Sequence, residues 1–293
     1  MMEIVVLLII MLLEFAYIPT PNKDVDIILR NDGMNFVATI RYPQDISKPV
    51  PAVLLLPGFS DERNELPVYG TTVIDDGNRM EGFYTRFARK VADAGYISLR
   101  IDYRYSGTSD GLFEDITIDS QLSDVNVAID YLKHNKYVSK VIVCGSSLGG
   151  ALAASANNNV DAKILWSPAP SLDVITSVIP EKSIEEAMVT GITTFVAPWG
   201  ETITLKKPFF ESLNSVDPIE SIKDFKNPLL CICGTKDVLV YPQPIQTQKF
   251  IDAHEGIEKL VVLDADHTFD SFISPEKIDI AINESIKWVD QIL

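Results

Sequence analysis

Three residues of this 293-residue chain have side chains that together could cleave an acyl bond. Ser147 is the central residue of a G-x-S-x-G motif, and Asp237 and His267 follow it along the chain. A serine hydroxyl is a weak nucleophile at neutral pH, so it needs a base to take its proton. The base in turn needs a carboxylate that fixes its tautomer and stabilises its charge. The three residues therefore indicate acyl transfer, provided that the fold brings them together.

The sequence around Ser147 predicts a strand that turns sharply into a helix. A β-branched run at residues 141–143 indicates a buried strand, and the Ala-rich segment after Gly149 indicates a helix. Gly145 and Gly149 lack the Cβ atoms that would collide in such a turn, and the helix N-terminus can stabilise negative charge beside the serine. A structural glycine-rich turn is the alternative. The strand before the motif and the small-residue helix after it favour a nucleophile elbow.

Only one of the three histidines directly follows a predicted strand. His134 ends an amphipathic helix and His254 lies near another helix end, where a histidine commonly lies at the surface or interacts with the helix dipole. His267 follows the strand predicted at residues 259–263. The carboxyl ends of parallel strands form the edge where α/β sheets place their sites. His267 is therefore the predicted base.

Asp237 is the predicted acid, because it lies in a loop after a separate strand, residues 229–233. A carboxylate at that position can reach the far imidazole nitrogen of His267. Asp264 is a rival. Asp266 adjoins the histidine, but neighbouring side chains in an extended loop point apart. Asp237 could also be an ordinary turn residue.

Two backbone N–H groups are predicted to bind the oxyanion that forms during acyl transfer. One belongs to Leu148, directly after the nucleophile, and the other to Phe59, in the loop after the third predicted strand. Asp102 also ends a strand, but structural hydrogen bonding of the polar loop at residues 106–111 explains it better than a catalytic role does.

Apolar runs and helical patterns alternate along the chain, which predicts an α/β fold with a mostly parallel sheet and helices on both faces. Eight strands are predicted, at residues 25–29, 35–42, 52–56, 96–101, 141–143, 162–166, 229–233 and 259–263. Helices are expected at residues 79–94 and 118–134, after the nucleophile, near residues 244–253, and from residue 274 to about residue 292.

The alternation stops after the sixth strand, and we expect a lid insertion there, at about residues 168–226. Its aromatic stretch at residues 195–205 indicates a hairpin with Gly200 in the turn, and a helical patch precedes it. Trp199 in this stretch is a candidate substrate-binding residue, although a small lid also needs aromatic side chains for its own core.

The composition excludes some classes of function. The net charge of −16 argues against nucleic acid as a partner, because phosphate binding needs a basic surface. Three cysteines without framework spacing favour a reducing compartment, so a cytoplasmic location is expected. Cys231 and Cys233 have no further cysteine or histidine near them in sequence and do not indicate a zinc site.

The first eighteen residues are an apolar extension that precedes the predicted catalytic domain of residues 19–293. Residues 4–13 are unbroken apolar sequence between two glutamates, without the basic start or the cleavage site of a signal peptide. The run is also shorter than the roughly 20 residues of a membrane span. Three interpretations stay open: an anchor or uncleaved signal, a helix packed on the fold, or a subunit interface. Membrane association or export would arise only from this segment.

The catalytic motifs follow one another as in the α/β-hydrolase superfamily. These motifs are Pro57-Gly58-Phe59, the G-x-S-x-G block, Gly234-Thr-Lys-Asp237 and Asp266-His267-Thr-Phe269. From about residue 25 onward the pattern most resembles the cinnamoyl and feruloyl esterases and related serine aminopeptidase-like hydrolases. The resemblance implies an α/β-hydrolase fold whose short lid shapes the acyl pocket. The family usually has histidine at the position of Pro57 and often has histidine at the position of Ser146. Both departures leave the backbone donors intact, so they concern substrate choice more than mechanism.

The sequence thus predicts a serine hydrolase that cleaves small-molecule carboxylic esters with short or aromatic acyl groups. Ser147, Asp237 and His267 would be catalytic, and no metal or organic cofactor is implied. One alternative is an amidase or aminopeptidase with the same machinery, and another is a thioester or lipid acyl hydrolase. A third is a catalytically silent binding protein, because a fold alone does not fix function.

Overall fold

Eight strands form one sheet in the computed structural model, which describes residues 20–71 and 80–292. The strands of this sheet are β1 Asp24–Asn31, β2 Met34–Arg41, β3 Val50–Leu56, β4 Ile97–Ile101, β5 Val138–Ser146, β6 Ala162–Trp166, β9 Leu229–Gly234 and β10 Glu258–Leu263. Their order is β1-β2-β4-β3-β5-β6-β9-β10. Strand β2 is antiparallel to both of its neighbours, and every other pair is parallel.

Helices cover both faces of this sheet. Their bounds are α1 Phe83–Asp93, α2 Ile118–His134, α3 Leu148–Ser155, α4 Glu181–Thr190, α5 Lys207–Ser212, α6 Pro218–Lys223, α7 Ile245–Ala253 and α8 Glu276–Ile292. Helices α1 and α8 pack with one core cluster, and α2, α3 and α7 pack with the other. All five side chains of β4 and of β6 are consequently buried, as expected of parallel strands covered on both sides.

The predicted fold class is confirmed, because each of the eight predicted strands has a counterpart in the sheet. The predicted strand before the nucleophile is longer than its β-branched centre and runs from Val138 to Ser146. The helix predicted at residues 79–94 is described as Phe83–Asp93, since Gly82 before it has an extended backbone with ψ 150°.

The predicted insertion lies between β6 and β9 and contains more regular structure than the sequence indicated. It begins with a 3₁₀ helix, Leu172–Val178, and continues through α4 into a two-stranded antiparallel sheet of β7 Ile192–Val196 and β8 Thr202–Lys206. Gly191 ends α4 with φ 92°, and Gly200 in the hairpin turn has φ 91°. Both are left-handed conformations that glycine adopts without steric cost. Helices α5 and α6 then lead back to β9.

The predicted extension at residues 1–18 lies outside the described residues. Within residues 20–71 and 80–292 no helix combines the length and the apolar character needed to cross a bilayer.

Candidate active site

The turn from β5 into α3 holds Ser147 in a strained backbone conformation, with φ 56° and ψ −116°. Such a conformation costs about 1–3 kcal/mol and persists only where surrounding contacts hold it. The glycines allow those contacts: a Cβ on Gly145 would lie 2.0 Å from the Gly149 carbonyl oxygen, and a Cβ on Gly149 would lie 2.1 Å from that of Leu56. The Ser147 N–H donates to the Trp166 carbonyl oxygen at 2.9 Å. The local geometry is that of a nucleophile elbow.

The loops after β9 and β10 lie against each other at the same edge of the sheet. A Cβ on Gly234 would lie 2.2 Å from the Ala265 carbonyl oxygen. The Lys236 N–H donates to that same oxygen at 2.9 Å. This close backbone contact brings Asp237, from the first loop, beside His267, from the second.

Asp237, which is buried, and the partly exposed His267 form an acid–imidazole pair. Asp237 Oδ2 lies 2.7 Å from His267 Nδ1, and Asp237 Oδ1 accepts hydrogen bonds from the N–H groups of Leu239 and Val240, both at 2.9 Å. A carboxylate fixed in this way orients the imidazole and leaves its Nε2 for the nucleophile. Ser147 Oγ forms no hydrogen bond within the described residues, and catalytic hydrogen bonds often tighten only in the reacting complex.

The rival acids do not contact the imidazole. Asp264 is exposed and pairs with Lys236 Nζ at 2.9 Å. Asp266 Oδ1 accepts from the Thr268 N–H and from the Asp270 N–H, both at 2.8 Å, and so holds the turn that carries the histidine.

The other two histidines have structural surroundings away from this edge. His134 Nδ1 lies 2.7 Å from the Asp130 carbonyl oxygen within its own helix. His254, expected near a helix end, is buried, and its Nε2 lies 3.0 Å from the Asn227 carbonyl oxygen.

The two predicted oxyanion donors come from loops that touch. A Cβ on Gly58 would lie 3.7 Å from Ser147 Cβ, so the loop after β3 packs directly against Ser147. Leu148 is the first residue of α3, where N–H groups have no partner within the helix. Within the described residues neither the Phe59 N–H nor the Leu148 N–H donates to a protein acceptor. Both donors are therefore free to bind a ligand oxygen.

An aromatic cluster surrounds the Phe59 ring. The ring centroids of Phe113, Trp199 and Phe209 lie 6.1, 6.5 and 5.6 Å from that of Phe59. Trp199 is 47% exposed, whereas Phe195 and Phe209 of the same insertion are buried. Trp199 therefore lies at the surface of the insertion, on the side facing Phe59, rather than in the core of the insertion.

A single carboxylate joins the insertion to the loop after β3. Glu201 Oε2 accepts from the Ser60 hydroxyl at 2.8 Å and from the Trp199 indole N–H at 3.0 Å. On the other side of the hairpin, Lys206 Nζ pairs with Glu114 and Asp115 at 3.0 and 2.7 Å. The hairpin is thus fixed beside the candidate site by two separate polar contacts.

Sequence reasoning missed a pair of carboxyl groups within the loop after β3. The Glu65 Oε1 atom accepts from the Gly58 N–H at 2.7 Å, and the Asp61 and Glu65 carboxyl groups lie close enough to affect each other's pKa. Burial and, to a smaller extent, the nearby Glu201 carboxylate raise the pKa of Asp61 to about 6. Burial and the Asp61 charge raise the pKa of Glu65 well above its usual range. In the sequence the pair is marked only by three acidic residues, Asp61, Glu62 and Glu65, shortly after Pro57-Gly58-Phe59.

Asp102 has the structural role expected from the sequence. It is buried and accepts from the Arg63 N–H at 2.7 Å and from the Thr108 N–H at 3.0 Å, and it forms an ion pair with the Arg63 guanidinium. Across residues 20–71 and 80–292 no three His, Cys, Asp or Glu side chains are grouped so that they could hold a metal ion.

Comparison with protein families and curated proteins gives two matches. The model of the prolyl oligopeptidase family, Peptidase_S9, matches residues 83–293. Over 113 residues the chain is 34% identical to the quorum-quenching protein AidA of Acinetobacter baumannii (strain MDR-ZJ06). That match covers 37% of this chain and 37% of the relative, so the chain spans little more than a third of the relative's length.

Solved structures with the same fold cover almost the whole chain. Est1E from Butyrivibrio proteoclasticus with ferulic acid bound is 18% identical with a TM-score of 0.72, over 91% of this chain and 98% of that chain. Mouse alpha/beta hydrolase domain-containing protein 10 is 18% identical with a TM-score of 0.68, over 92% and 100%. A Pyrococcus furiosus esterase is 20% identical with a TM-score of 0.60, over 92% and 90%. These likenesses confirm the predicted α/β-hydrolase fold.

Proposed function

The chain belongs to the prolyl oligopeptidase family, and we propose that it is a serine hydrolase that cleaves carboxylic esters through an acyl-enzyme. The observation that carries the proposal is the 2.7 Å contact between His267 Nδ1 and the buried Asp237 carboxylate, at the same sheet edge as the elbow serine. In such a pair the carboxylate fixes the proton on Nδ1, so that Nε2 of the imidazole can act as a general base.

In the proposed mechanism His267 Nε2 takes the Ser147 proton as Oγ attacks the acyl carbonyl carbon. The carbonyl oxygen becomes an oxyanion and accepts from the N–H groups of Phe59 and Leu148. The imidazolium is stabilised by Asp237 and gives its proton to the leaving alcohol, so that an acyl-Ser147 ester remains. A water molecule, deprotonated by His267, then attacks this ester and releases the acid and the free serine.

The aromatic cluster supports the acyl part of the proposal. Phe59 carries a predicted oxyanion donor on its backbone, and its ring packs against Trp199 and Phe209. An acyl group whose carbonyl oxygen is held at Phe59 would therefore lie beside flat apolar side chains. We expect short or aromatic acyl groups to be preferred over long chains, since the Glu201 contact fixes the hairpin close to this loop.

Membership of the prolyl oligopeptidase family makes peptide amides a second candidate substrate class. Esters and amides of the same acyl group pass through the same acyl-enzyme, and they differ in the leaving group that His267 must protonate. Matched substrates with one acyl group and either an alcohol or an amine leaving group separate the two candidates directly.

The test combines a fluorophosphonate probe with a panel of aryl, short-acyl, long-acyl and amide substrates. Ser147→Ala should abolish labelling and lower kcat/KM for esters by about 10⁴-fold or more, as for triad nucleophiles in general. Ser146→Ala is the matched control, and it should retain most of its activity because this residue lies before the strained turn. An inactive Ser146→Ala with an active Ser147→Ala would refute the assignment of the nucleophile.

A further inference from the structure

The loop after β3 adopts a conformation that its sequence would not favour. Ser60 and Glu65 have φ values of 64° and 60°, in the left-handed region that residues with a Cβ rarely adopt. Such conformations persist only where the surrounding structure holds them. Specific contacts must therefore hold this loop in its conformation.

Glu65 makes the contact closest to the predicted oxyanion donor. Its buried carboxyl group accepts from the Gly58 N–H at 2.7 Å. The Gly58 N–H belongs to the Pro57–Gly58 peptide unit, and the Phe59 N–H belongs to the next unit, Gly58–Phe59. Only the φ and ψ torsions of Gly58 separate the two planes, so the direction of the Phe59 N–H depends on where Glu65 holds Gly58.

Two tyrosines hold the residues before Gly58 from other elements. The Tyr84 hydroxyl of α1 donates to the Leu56 carbonyl oxygen at 2.9 Å, and the Tyr103 hydroxyl donates to the Pro57 carbonyl oxygen at 3.3 Å. Tyr84 binds the peptide unit before Pro57, whereas Tyr103 and Glu65 bind the two polar groups of the same Pro57–Gly58 unit. Of these three side chains, Glu65 binds the group that is nearest in sequence to the Phe59 N–H.

The surroundings of Glu65 favour the protonated form of its carboxyl group. Tyr84, Tyr103 and Cys144 lie near it, all buried, and the Asp61 carboxylate lies near it in its own loop. Burial and the Asp61 charge raise the pKa of Glu65 well above its usual range. In the protonated form Glu65 can still accept from the Gly58 N–H with one oxygen while its other oxygen offers a proton to Asp61.

We propose that Glu65 is a positioning residue: it holds the Gly58 N–H and, through Gly58, sets the orientation of the Phe59 N–H that an oxyanion on the substrate of Ser147 needs. The inference rests on the proposed function, because it takes the Phe59 N–H as an oxyanion donor. Glu65 acts through this peptide and does not itself touch the reacting atoms.

Glutamine tests the idea sharply, because its side chain matches a protonated glutamate. In Glu65→Gln the amide oxygen can accept from the Gly58 N–H and the amide N–H can donate to Asp61, so kcat should stay within about fivefold of the wild type. In Glu65→Ala the loop loses its support, and kcat should fall about 10–100-fold with KM changed by less than about threefold. The loss is smaller than the roughly 10²–10³-fold cost of removing an oxyanion donor outright.

The measurement is kcat and KM on a short-acyl aryl ester, with the concentration of active sites taken from fluorophosphonate labelling. Glu62→Ala in the same loop is the matched control, since this side chain is exposed, and its kcat should remain within about twofold of the wild type. If Glu65→Ala does not fold, Glu65→Asp decides by the same criterion, because the shorter acid cannot reach the Gly58 N–H.

Two results would overturn the role of Glu65. One is a Glu65→Ala variant whose kcat per labelled active site lies within about threefold of the wild type. Glu65 would then contribute to the structure of the loop and not to the orientation of the donor. The other is a Glu65→Gln variant as slow as Glu65→Ala, which would mean that the carboxyl group itself is required. A wild-type protein that neither labels nor hydrolyses esters would instead overturn the proposed function and this inference with it.

Discussion

Replacing Asp237 by asparagine tests the candidate triad with little change in shape. In the wild type Oδ1 accepts from two backbone N–H groups and Oδ2 faces His267 Nδ1 at 2.7 Å. The asparagine oxygen can keep both backbone hydrogen bonds only if its NH₂ group faces the imidazole. Nδ1 must then accept, so the ring proton moves to Nε2. A protonated Nε2 cannot take the proton of Ser147.

The expected loss in kcat is about 10⁴-fold, as for carboxylate-to-amide changes in serine triads, which corresponds to about 5 kcal/mol of transition-state stabilisation. The melting temperature should change little, since the buried shape and both backbone hydrogen bonds are retained. Steady-state hydrolysis of an aryl ester at neutral pH measures the first quantity, and a thermal melt measures the second.

Asp264→Asn is the matched control for this variant. Asp264 is exposed and pairs with Lys236, so its replacement should leave kcat within about twofold of the wild type. An Asp237→Asn enzyme with more than about a tenth of the wild-type kcat would refute the assignment of the acid. So would an Asp264→Asn enzyme that is the slower of the two.

Two further predictions concern the insertion and the core. Trp199→Ala should lower kcat/KM more for an aryl-acyl ester than for an acetyl ester, and the difference should correspond to about 1–3 kcal/mol of transition-state stabilisation. The melting temperature should change little because Trp199 is half-exposed. Equal losses of kcat/KM on both esters would contradict this prediction. Burial lowers the pKa of Lys163 from 10.5 to about 7. Between pH 7 and pH 10.5 the unfolded chain therefore binds more protons than the folded protein, and the free energy of unfolding rises with pH. Between pH 6 and 8.5 the free energy of unfolding in urea should therefore rise by about 2 kcal/mol more for the wild type than for Lys163→Met. If the free energies of unfolding of the two proteins changed with pH in parallel, the prediction would be wrong.

The sheet could be predicted from the sequence because its strands are short apolar runs. Residues 52–56 are buried on both faces and form a continuous apolar run. Residues 162–166 are buried in the same way and are apolar except for Lys163. The strand ends then place Asp237 and His267 at one edge, since parallel strands share the direction of their carboxyl ends. Their 2.7 Å contact follows from topology more than from any local signal.

Other features depend on tertiary contacts that leave no periodic pattern. Lys163 lies in the middle of a buried strand, where its ammonium group donates to the Ala154 and Ala156 carbonyl oxygens at 2.8 and 3.0 Å. The Asp61–Glu65 pair depends on left-handed backbone angles in a loop. The Ser60–Glu201 hydrogen bond joins residues that are 141 positions apart in sequence. Composition and periodicity do not contain this information.

The position of Phe59 has a consequence for changing this enzyme by laboratory evolution. Its main chain carries a predicted oxyanion donor, and its ring packs on the aromatic side chains that would contact the acyl group. A library that varies Phe59 would alter turnover and acyl preference at the same time, so few of its members would improve one alone. Trp199 contacts the Phe59 ring from the hairpin, so variation at Trp199 does not replace the residue whose backbone N–H is the predicted donor. Acyl selectivity can therefore be varied from the hairpin without changing the residues of the proposed triad or the Phe59 main chain.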